Sequence, residues 1–596
     1  MSAQYEESIL ALRAARREVV PQGAASRAAW AAMTQKAVVE LWDGVTADQG
    51  LSPQPEGIAL AAVGSLGRKD GGPESDLDIL IIHDGGKHPE LPRGMSGLAD
   101  ALWYPIWDSH VELDHSVRSL GECRGVAKAD LKAGLGLLDV RYLAGDPTIV
   151  EKATSSILQD WRSAARLRFD SVAEDQVDRR LQFGRLSYLI EGDLKEAAGG
   201  MRDALLIKAL VASWLAERPA LTYEPAYEFL LDVRDALTSV TRRHNNVLRL
   251  EFQDDVASLL GFTGETDQDP ADELLAAVSD AARTIRAAYA DTLRRARRNA
   301  STSSNRWLQP RIIRGRVVPP HLTEVAPGVG ERSGELVLTA ASNPADPRVL
   351  LATAKAAASK DLPIRPATLL HMWESGAGRA LGEGGAWPEW ARADFETILS
   401  AGHPQVSVWE SLDIAGIMTE LIPAWSLVRN LPQRSAIHRH TVDRHQIEAT
   451  ANLPDLRSAS GATLASLSPA RRSTLLLATF FHDMGKRPGV PDHSERGAHM
   501  MEGILAPMGY SESIITDAAR LVHYHLLLGA LATSADPEDP DTINLISDAV
   551  AGQKELLDCL HLLTQADASS CKPEAWDIWK ATLVDQLVGR TYYSLT

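Results

Sequence analysis

The chain has 596 residues, enough for roughly three to five domains, and an apolar share of 45% that can fill their cores. Its net charge of −18 argues against a nucleic-acid binder that works by bulk electrostatics. The three cysteines, Cys123, Cys559 and Cys571, form no CxxC pair, and no apolar run approaches the ~18 residues of a membrane span. The sequence therefore predicts a cytoplasmic protein with reduced thiols that binds neither membrane nor nucleic acid.

Hydrophobic periodicity predicts a mainly α fold that contains one α/β domain. An Ala-rich helical region is followed by strand-like runs (IALAAVGS, LDILII, SHVELDHSV), long helices, short strands and turns (RIIRGRVVPP, GELVLTA), short helices and a helical end. The bounds of these regions are 1–50, 58–150, 151–298, 307–360, 361–425 and 426–596.

The stretch VGSLGRKDGGPESDLDILII places two aspartates at the start of an apolar strand. Residues two apart on a strand share a face, so Asp76 and Asp78 project together beside the turn that holds Gly64 and Ser65. Paired carboxylates repel unless a cation lies between them, and Mg²⁺ carrying phosphates is the natural occupant. A solvent-facing strand edge is the alternative for a bare DxD pattern.

A third carboxylate on a neighbouring strand completes a site for nucleotidyl transfer. We predict Glu112 in SHVELDHSV for this role, while Asp108 and Asp114 lie close enough to substitute. Three carboxylates can hold two Mg²⁺ ions, one for an attacking hydroxyl and one for the leaving pyrophosphate. The Gly64–Ser65 turn lets backbone approach a triphosphate, and Arg68 is predicted to contact phosphate oxygens.

The stretch YLIEGDLKEAAGGMRDALLIKAL, residues 188–210, contains a Gly-Gly pair flanked by cations. The glycines suit a close approach of backbone to a partner or the start of a helix. Lys195 and Arg202 are predicted to face nucleotide phosphates. A capped turn between two helices is an equally good interpretation.

A second constellation of histidines and aspartates lies in the C-terminal third. His482 and Asp483 follow an apolar helical run, and neutral imidazoles with carboxylates bind divalent metals. On a helix these neighbours point about 100° apart, so both can reach one ion at a cleft. The predicted metal ligands are His445, His482, Asp483 and Asp567, with His493 and His525 as accessory groups for phosphate or a second ion. His438, in HRHTVDRH, lies just upstream.

These motifs resemble known families in the same order along the chain. GS, a spacer, DLD and a later VEL are similar to nucleotidyltransferases of polymerase-β type, and H…HD…H…H…D resembles the HD phosphohydrolases. More closely, VGSLGRKDGGPESDLDILII, DHSVRSLGEC, LLDVRYLAGDPTI, RHTVDRH and HDMGKRPGVPDHSERGA resemble the bacterial PII uridylyltransferase/uridylyl-removing family (GlnD). The family's EPxLKxxxGGLRD stretch is matched, with Gly192 in place of Pro, by Glu191, Asp193, Lys195, Gly199, Gly200, Arg202 and Asp203.

The resemblance implies a domain order and a pair of opposed activities. The expected domains are a polymerase-β-type nucleotidyltransferase core (1–150), a helical domain (151–300), a spacer domain (301–425) and an all-α HD phosphohydrolase domain (426–596). The implied enzyme uses Mg²⁺ to transfer UMP from UTP to a tyrosine of the PII signal protein, in control of nitrogen assimilation. Its HD domain, with Mg²⁺, Mn²⁺ or another divalent metal, hydrolyses that phosphodiester.

Several features of the sequence depart from the family pattern or leave alternatives open. Arg444 and Gly485 stand where the family usually has Glu and Ala, and neither is an expected ligand. Family members usually continue into two ACT domains that sense glutamine, and the printed sequence stops before them, so glutamine is an uncertain effector. ATP is an alternative donor to UTP. A tRNA-nucleotidyltransferase-like enzyme and a nitrogen-status binding protein with decayed sites are the competing hypotheses.

Overall fold

The computed structural model describes residues 2–595 apart from 265–268, 302–310, 314–315, 319–321, 384, 488 and 490–491. The chain divides into two compact units. The first contains Met1–Ser187, Glu191–Thr263 and Val278–Trp307, and the second contains Tyr188–Ile190, Gly264–Ala277 and Leu308–Thr596. In the part of the chain that is described, no helix is both long and apolar enough to cross a membrane.

The first unit is mostly helical around one small sheet. Its strands are β1 (Ile58–Ala62), β2 (Leu77–His83), β3 (Leu113–Ser119) and β4 (Arg141–Gly145). Its helices are α1 (Ser2–Glu18), α2 (Ala24–Asp48), α3 (Gly64–Arg68), α4 (Gly94–Asp108), α5 (Leu120–Ala129), α6 (Leu131–Leu138), α7 (Pro147–Ser163), α8 (Ala165–Phe183), α9 (Met201–Ala212), α10 (Glu224–Thr241), α11 (Leu250–Leu259) and α12 (Pro270–Ser301); residues 270–277 of α12 cluster with the second unit.

The sheet has the strand order β3-β2-β1-β4, with β2 and β3 parallel and the other neighbours antiparallel. Both faces of its central strands are covered. On one face Leu60 and Ile79 join a core that includes Trp42 and Trp103, and alternate residues of the other face join a second core. Strands buried on both faces are expected to be continuously apolar, as IALAA is and as ILII is after Asp78.

The second unit consists of small sheets followed by packed helices. Its strands are β5 (Arg311–Ile313), β6 (Arg316–Val318), β7 (Thr323–Ala326), β8 (Val329–Arg332) and β9 (Glu335–Leu338). Its helices are α13 (Pro347–Lys360), α14 (Pro366–Glu374), α15 (Ala377–Glu383), α16 (Glu389–Leu399), α17 (Pro404–Ile414), α18 (Ile417–Leu421), α19 (Val442–Asn452), α20 (Pro469–Phe481), α21 (His493–Leu505), α22 (Glu512–Tyr524), α23 (Leu527–Ser534), α24 (Pro540–Ala549), α25 (Lys554–Ser570) and α26 (Ile578–Ser594).

One apolar core in the second unit runs from Val329 to Leu595. At its centre the Trp425 ring stacks on Phe480 with 5.2 Å between centroids. This core contains residues from both the predicted spacer and the predicted HD domain, so the boundary at residue 425 stays a prediction.

The predicted elements agree with the structure in most regions. The helical start, the strands at IALAA and LDILII, and the long helices that follow are confirmed. The prediction of strands and turns throughout 307–360 is wrong for its last part, because α13 occupies Pro347–Lys360. Residues 307–310, 314–315 and 319–321 of that prediction lie outside the described residues.

Candidate active sites

Three carboxylates of the first unit converge on one cavity. Asp78 on β2 and Asp114 on β3 are partners in the parallel register, and Asp76 immediately precedes β2. All three line a cavity of about 640 Å³. Burial and the neighbouring charges of Asp76 and Asp114 raise the pKa of Asp78 to about 7. Because the ionised form of Asp78 is disfavoured by burial and by its carboxylate neighbours, a bound cation would stabilise it.

The glycine before this cavity is required by its geometry. Gly64 has φ of +55°, and a Cβ there would lie 2.4 Å from Oδ2 of Asp78. The predicted turn is instead the first turn of α3, whose Ser65 amide donates a hydrogen bond toward Asp78. Ser65 Oγ is buried at the cavity without a hydrogen-bond partner among the described residues. The hydroxyl is therefore available to a bound ligand.

Gly64→Ala is expected to reduce nucleotidyl transfer at least about tenfold, because the new methyl group displaces Asp78. The left-handed backbone adds a stability cost of about 1 kcal/mol. Gly50→Ala is the matched control, since Gly50 also has a positive φ of +71° but an added Cβ there would meet open space. The control should lose similar stability in thermal melts and keep its transfer rate. Equal activity losses in the two variants would contradict the role of Gly64.

The three predicted phosphate-binding cations all line the cavity, but they differ in how many carboxylates already pair with them. Arg68 donates to Asp70 at 2.7 Å and to Asp139 at 2.8 Å, so two carboxylates already match its charge. Arg202 pairs with Glu196 at 2.8 Å. Lys195 makes no ion pair within the described part of the chain, and its charge lowers the pKa of Asp78. Of these three cations, Lys195 is therefore the most available for a phosphate.

The two interpretations of the Gly-Gly stretch hold together in the structure. Asp193 caps the turn by accepting from the amides of Lys195 and Glu196, both at 2.8 Å. Gly199 has φ of +89°, and a Cβ there would lie 2.5 Å from a carbonyl oxygen of α12. The segment is thus a capped, closely packed turn that also carries Lys195 to the cavity.

The third carboxylate at the cavity differs from the one predicted. Glu112 is exposed, precedes β3 and does not line the cavity, and its carbonyl oxygen accepts the Leu77 amide at 2.8 Å. Asp114, one of the alternatives, lies opposite Asp78 instead. The role of Glu112 stays a prediction that the cavity does not support.

Sequence reasoning also missed the contacts that hold the loop before Asp76. Arg16 of α1 donates to the carbonyl of Ser75 at 3.0 Å, and Arg234 of α10 donates to that of Asp70 at 2.6 Å. Both arginines are buried. These are long-range contacts of single residues, for which the local sequence pattern carries no signal.

In the second unit, the predicted metal ligands form one buried cluster. His445 lies on α19, His482 and Asp483 directly follow α20, and Asp567 lies on α25. His445 Nε2 is 2.8 Å from Oδ1 of Asp567 and 3.3 Å from Nε2 of His482, which is 3.4 Å from Oδ2 of Asp483. His525 joins the cluster, with Nε2 3.8 Å from Asp483, and His493 approaches Asp483 at 3.5 Å. Helix α20 ends at Phe481, so the pair lies at its C-terminal end.

The imidazoles are oriented by bonds on their outer nitrogens. Nδ1 of His482 contacts the carbonyl of Thr479 at 2.9 Å, and Nδ1 of His525 contacts that of Val522 at 2.7 Å. Nδ1 of His445 contacts the hydroxyl of Ser570 at 2.8 Å. Because each carbonyl accepts the Nδ1 proton, Nε2 faces inward, and it offers a lone pair to a metal once its own proton is released.

The carboxylates in the cluster are charged despite their burial. Burial opposes the ionisation of Asp483, but the cations Lys486 and His482 outweigh it and hold its pKa well below the usual range. Lys486 Nζ lies 2.6 Å from Oδ2 of Asp483. Oδ1 of Asp483 is buried and has no hydrogen-bond partner among the described residues, whereas Oδ2 is held by the Lys486 ion pair. Buried carboxylate oxygens facing imidazole Nε2 atoms fit a divalent transition metal.

The structure also accommodates the two departures in this region. Arg444 pairs with Glu410 at 2.7 Å and Glu448 at 2.8 Å. A Cβ at Gly485 would lie 2.0 Å from the carbonyl oxygen of His493. Neither residue displaces a predicted ligand.

The fold and the carboxylate cavity of the first unit define a nucleotidyltransferase, and a nucleotidyltransferase-domain model matches residues 49–129. A second family model, GlnD PII-uridylyltransferase, matches residues 168–293. The chain belongs to the family of bifunctional uridylyltransferase/uridylyl-removing enzymes.

Three relatives with that name support this family assignment. The Streptomyces coelicolor enzyme is 39% identical over 563 residues, which cover 93% of this chain and 64% of the relative. The Mycobacterium tuberculosis enzyme is 37% identical over 543 residues, covering 90% and 63%. The Corynebacterium glutamicum enzyme is 32% identical over 528 residues, covering 88% and 70%. The chain thus spans somewhat under two thirds of the first two relatives.

Proposed function

We propose that this chain transfers UMP from UTP to a tyrosine of the PII signal protein and hydrolyses the same phosphodiester at its second site. The observation that supports both activities is the presence, in one chain, of a three-carboxylate cavity and a buried histidine–aspartate cluster. The names of the relatives support the choice of reactions.

In the transfer reaction, Asp76, Asp78 and Asp114 would hold Mg²⁺, which supplies charge stabilisation for the pentavalent phosphorus and the departing pyrophosphate. Ser65 Oγ would donate a hydrogen bond to the triphosphate. Lys195 would neutralise the charge that develops on the leaving group. The tyrosine oxygen forms a bond to the α-phosphorus as the bond to pyrophosphate breaks, and the phenolic proton passes to a carboxylate or to solvent.

In the hydrolytic reaction, His445, His482, Asp483 and Asp567 would hold a divalent cation that activates water and polarises the phosphodiester. Manganese or another transition metal suits the imidazole ligands better than Mg²⁺. His493 and Lys486 line a cavity of about 390 Å³ beside the cluster, where they would contact the phosphate. Water adds to phosphorus, and the tyrosine oxygen leaves and takes up a proton.

Intact-mass spectrometry of a PII trimer tests this proposal. PII is incubated with the chain, Mg²⁺ and either UTP or ATP, with and without glutamine, which is the proposed effector. A gain of one UMP per subunit supports uridylylation, and a gain of AMP identifies ATP as the donor. No gain with either nucleotide would contradict PII as the acceptor, and tRNA would then be tested.

A further inference from the structure

His438 and Cys571 form a preorganised pair beside the histidine–aspartate cluster. His438 Nδ1 lies 3.4 Å from Cys571 Sγ. The neighbouring backbone holds the pair in place, because the amide of Lys572 donates to the carbonyl of Ile437 at 2.9 Å. Neither side chain has a role in the function proposed above.

The pair has the separation of two ligands on one metal ion. With a metal–sulfur distance of about 2.3 Å and a metal–nitrogen distance of about 2.0–2.1 Å, tetrahedral coordination places the two ligand atoms about 3.5 Å apart. A nitrogen of His445 lies within 4.8 Å of both ligand atoms, and its ring packs edge-on against His438 at 5.3 Å between centroids. His438 also lines the 390 Å³ cavity, which gives an ion a route from solvent.

We propose that His438 and Cys571 bind a thiophilic divalent cation, such as Zn²⁺ or Cd²⁺, at a site adjoining the histidine–aspartate cluster. Binding breaks the S–H bond of Cys571, forms a metal–sulfur bond and releases the proton to solvent. Burial keeps this thiol protonated in the absence of a cation, since it raises the pKa of Cys571 to about 12. Water is available for the remaining coordination positions, because both His445 nitrogens already have partners.

An ion at this position would alter the hydrolytic site through His445. Ser570, whose hydroxyl contacts His445 Nδ1, is the residue immediately before Cys571. A thiophilic cation on Cys571 would therefore lie next to the residue that orients His445. We expect excess Zn²⁺ to slow phosphodiester hydrolysis through Cys571.

Cadmium titration of the metal-free full chain tests the site, because a cadmium–thiolate bond gives an ultraviolet charge-transfer band that histidine and carboxylate ligands do not. The wild type is expected to show the band, and Cys571→Ser and Cys571→Ala should lose it. His438→Ala should weaken Cd²⁺ binding more than about tenfold. Loss of a residue that only supports a ligand already costs about that much, and His438 is proposed as a direct ligand. Cys559→Ser is the control, because Cys559 is also buried but its Sγ faces the carbonyl of Arg471.

The outcomes separate this site from the proposed enzymatic activities, because the band requires no substrate. A band in the wild type and in Cys559→Ser, lost in both Cys571 variants with unchanged circular dichroism, supports the proposal. A wild type without the band overturns it, and so does a band that survives in both Cys571 variants. An ion held only by the histidine–aspartate cluster would bind without the band, which also overturns it.

Discussion

Asp78→Asn is expected to reduce nucleotidyl transfer by about 10³-fold or more while making the metal-free protein more stable. The loss of activity follows from removing a central ligand for Mg²⁺, whose charge stabilisation is worth several kcal/mol. Hydrolysis of the modified acceptor should stay within about twofold, because its predicted ligands lie in the other unit.

The gain in stability follows from the raised pKa of Asp78. Its folded-state pKa is about 7, against an ordinary 3.8, so the unfolded chain ionises first as the pH rises. The resulting penalty grows from about pH 4 and is complete above pH 7, where it amounts to at most about 4 kcal/mol. Melts in EDTA should show a larger gain for Asp78→Asn at pH 8 than at pH 5. An unchanged or lower melting temperature at pH 8 would contradict this account of the cavity.

A pair of matched variants decides which residue is the third carboxylate. Asp114→Asn should reduce transfer by about 10²-fold or more, because Asp114 faces Asp78 in the cavity. Glu112→Gln, on the same strand edge but outside the cavity, should change the transfer rate less than about threefold. The opposite pattern would restore the sequence-based prediction for Glu112.

Local patterns predicted which groups of the first cavity lie together where those groups are adjacent in sequence. The DLD motif, the strand that follows and the preceding Gly-Ser are close enough for alternation and turn chemistry to relate them. The sequence left the third carboxylate open, because Asp108 and Asp114 lie close to Glu112 and could take its place. Only the register of β3 against β2 distinguishes them, and that register depends on packing across the sheet.

The histidine–aspartate cluster could be predicted by residue type but not in its orientation. The structure brings together the residues that the motifs named, and it buries His525. The outer contacts of Ser570 and Lys486 depend on the packing of α25 and on the turn after α20. Ser and Lys at such positions look like ordinary surface residues in the sequence.

The wrong prediction over α13 has a local cause. Asp346 caps the helix by accepting the amide of Arg348 at 2.8 Å, and Pro347 occupies the first helical position. This Asp-Pro start followed by Ala-rich sequence is a recognisable helix signal. The prediction extended the strand pattern of GELVLTA beyond its end, into residues that form α13.

His482→Ala combined with Asp483→Ala is expected to reduce hydrolysis of the modified acceptor by about 10³-fold or more and to lower the bound divalent metal of the second unit. These neighbours contribute an imidazole and a carboxylate to the cluster. Nucleotidyl transfer should stay within about twofold, so modified acceptor should accumulate. Rates on purified acceptor and metal analysis after dialysis measure the two effects.

His561→Gln is the matched control for this variant, because His561 is also fully buried in the second unit but its contacts lie elsewhere. Its Nδ1 accepts the amide of Ala459 at 3.0 Å, and its Nε2 contacts Gln565 at 2.8 Å. The control should keep its metal and its hydrolytic rate even if it melts at a lower temperature. Hydrolysis that persists in the double variant would separate the cluster from the reaction. Equal losses of hydrolysis in the control would show that the effect comes from unfolding. His482 and His561 are equally buried, so a difference between the variants must come from the contacts that each histidine makes.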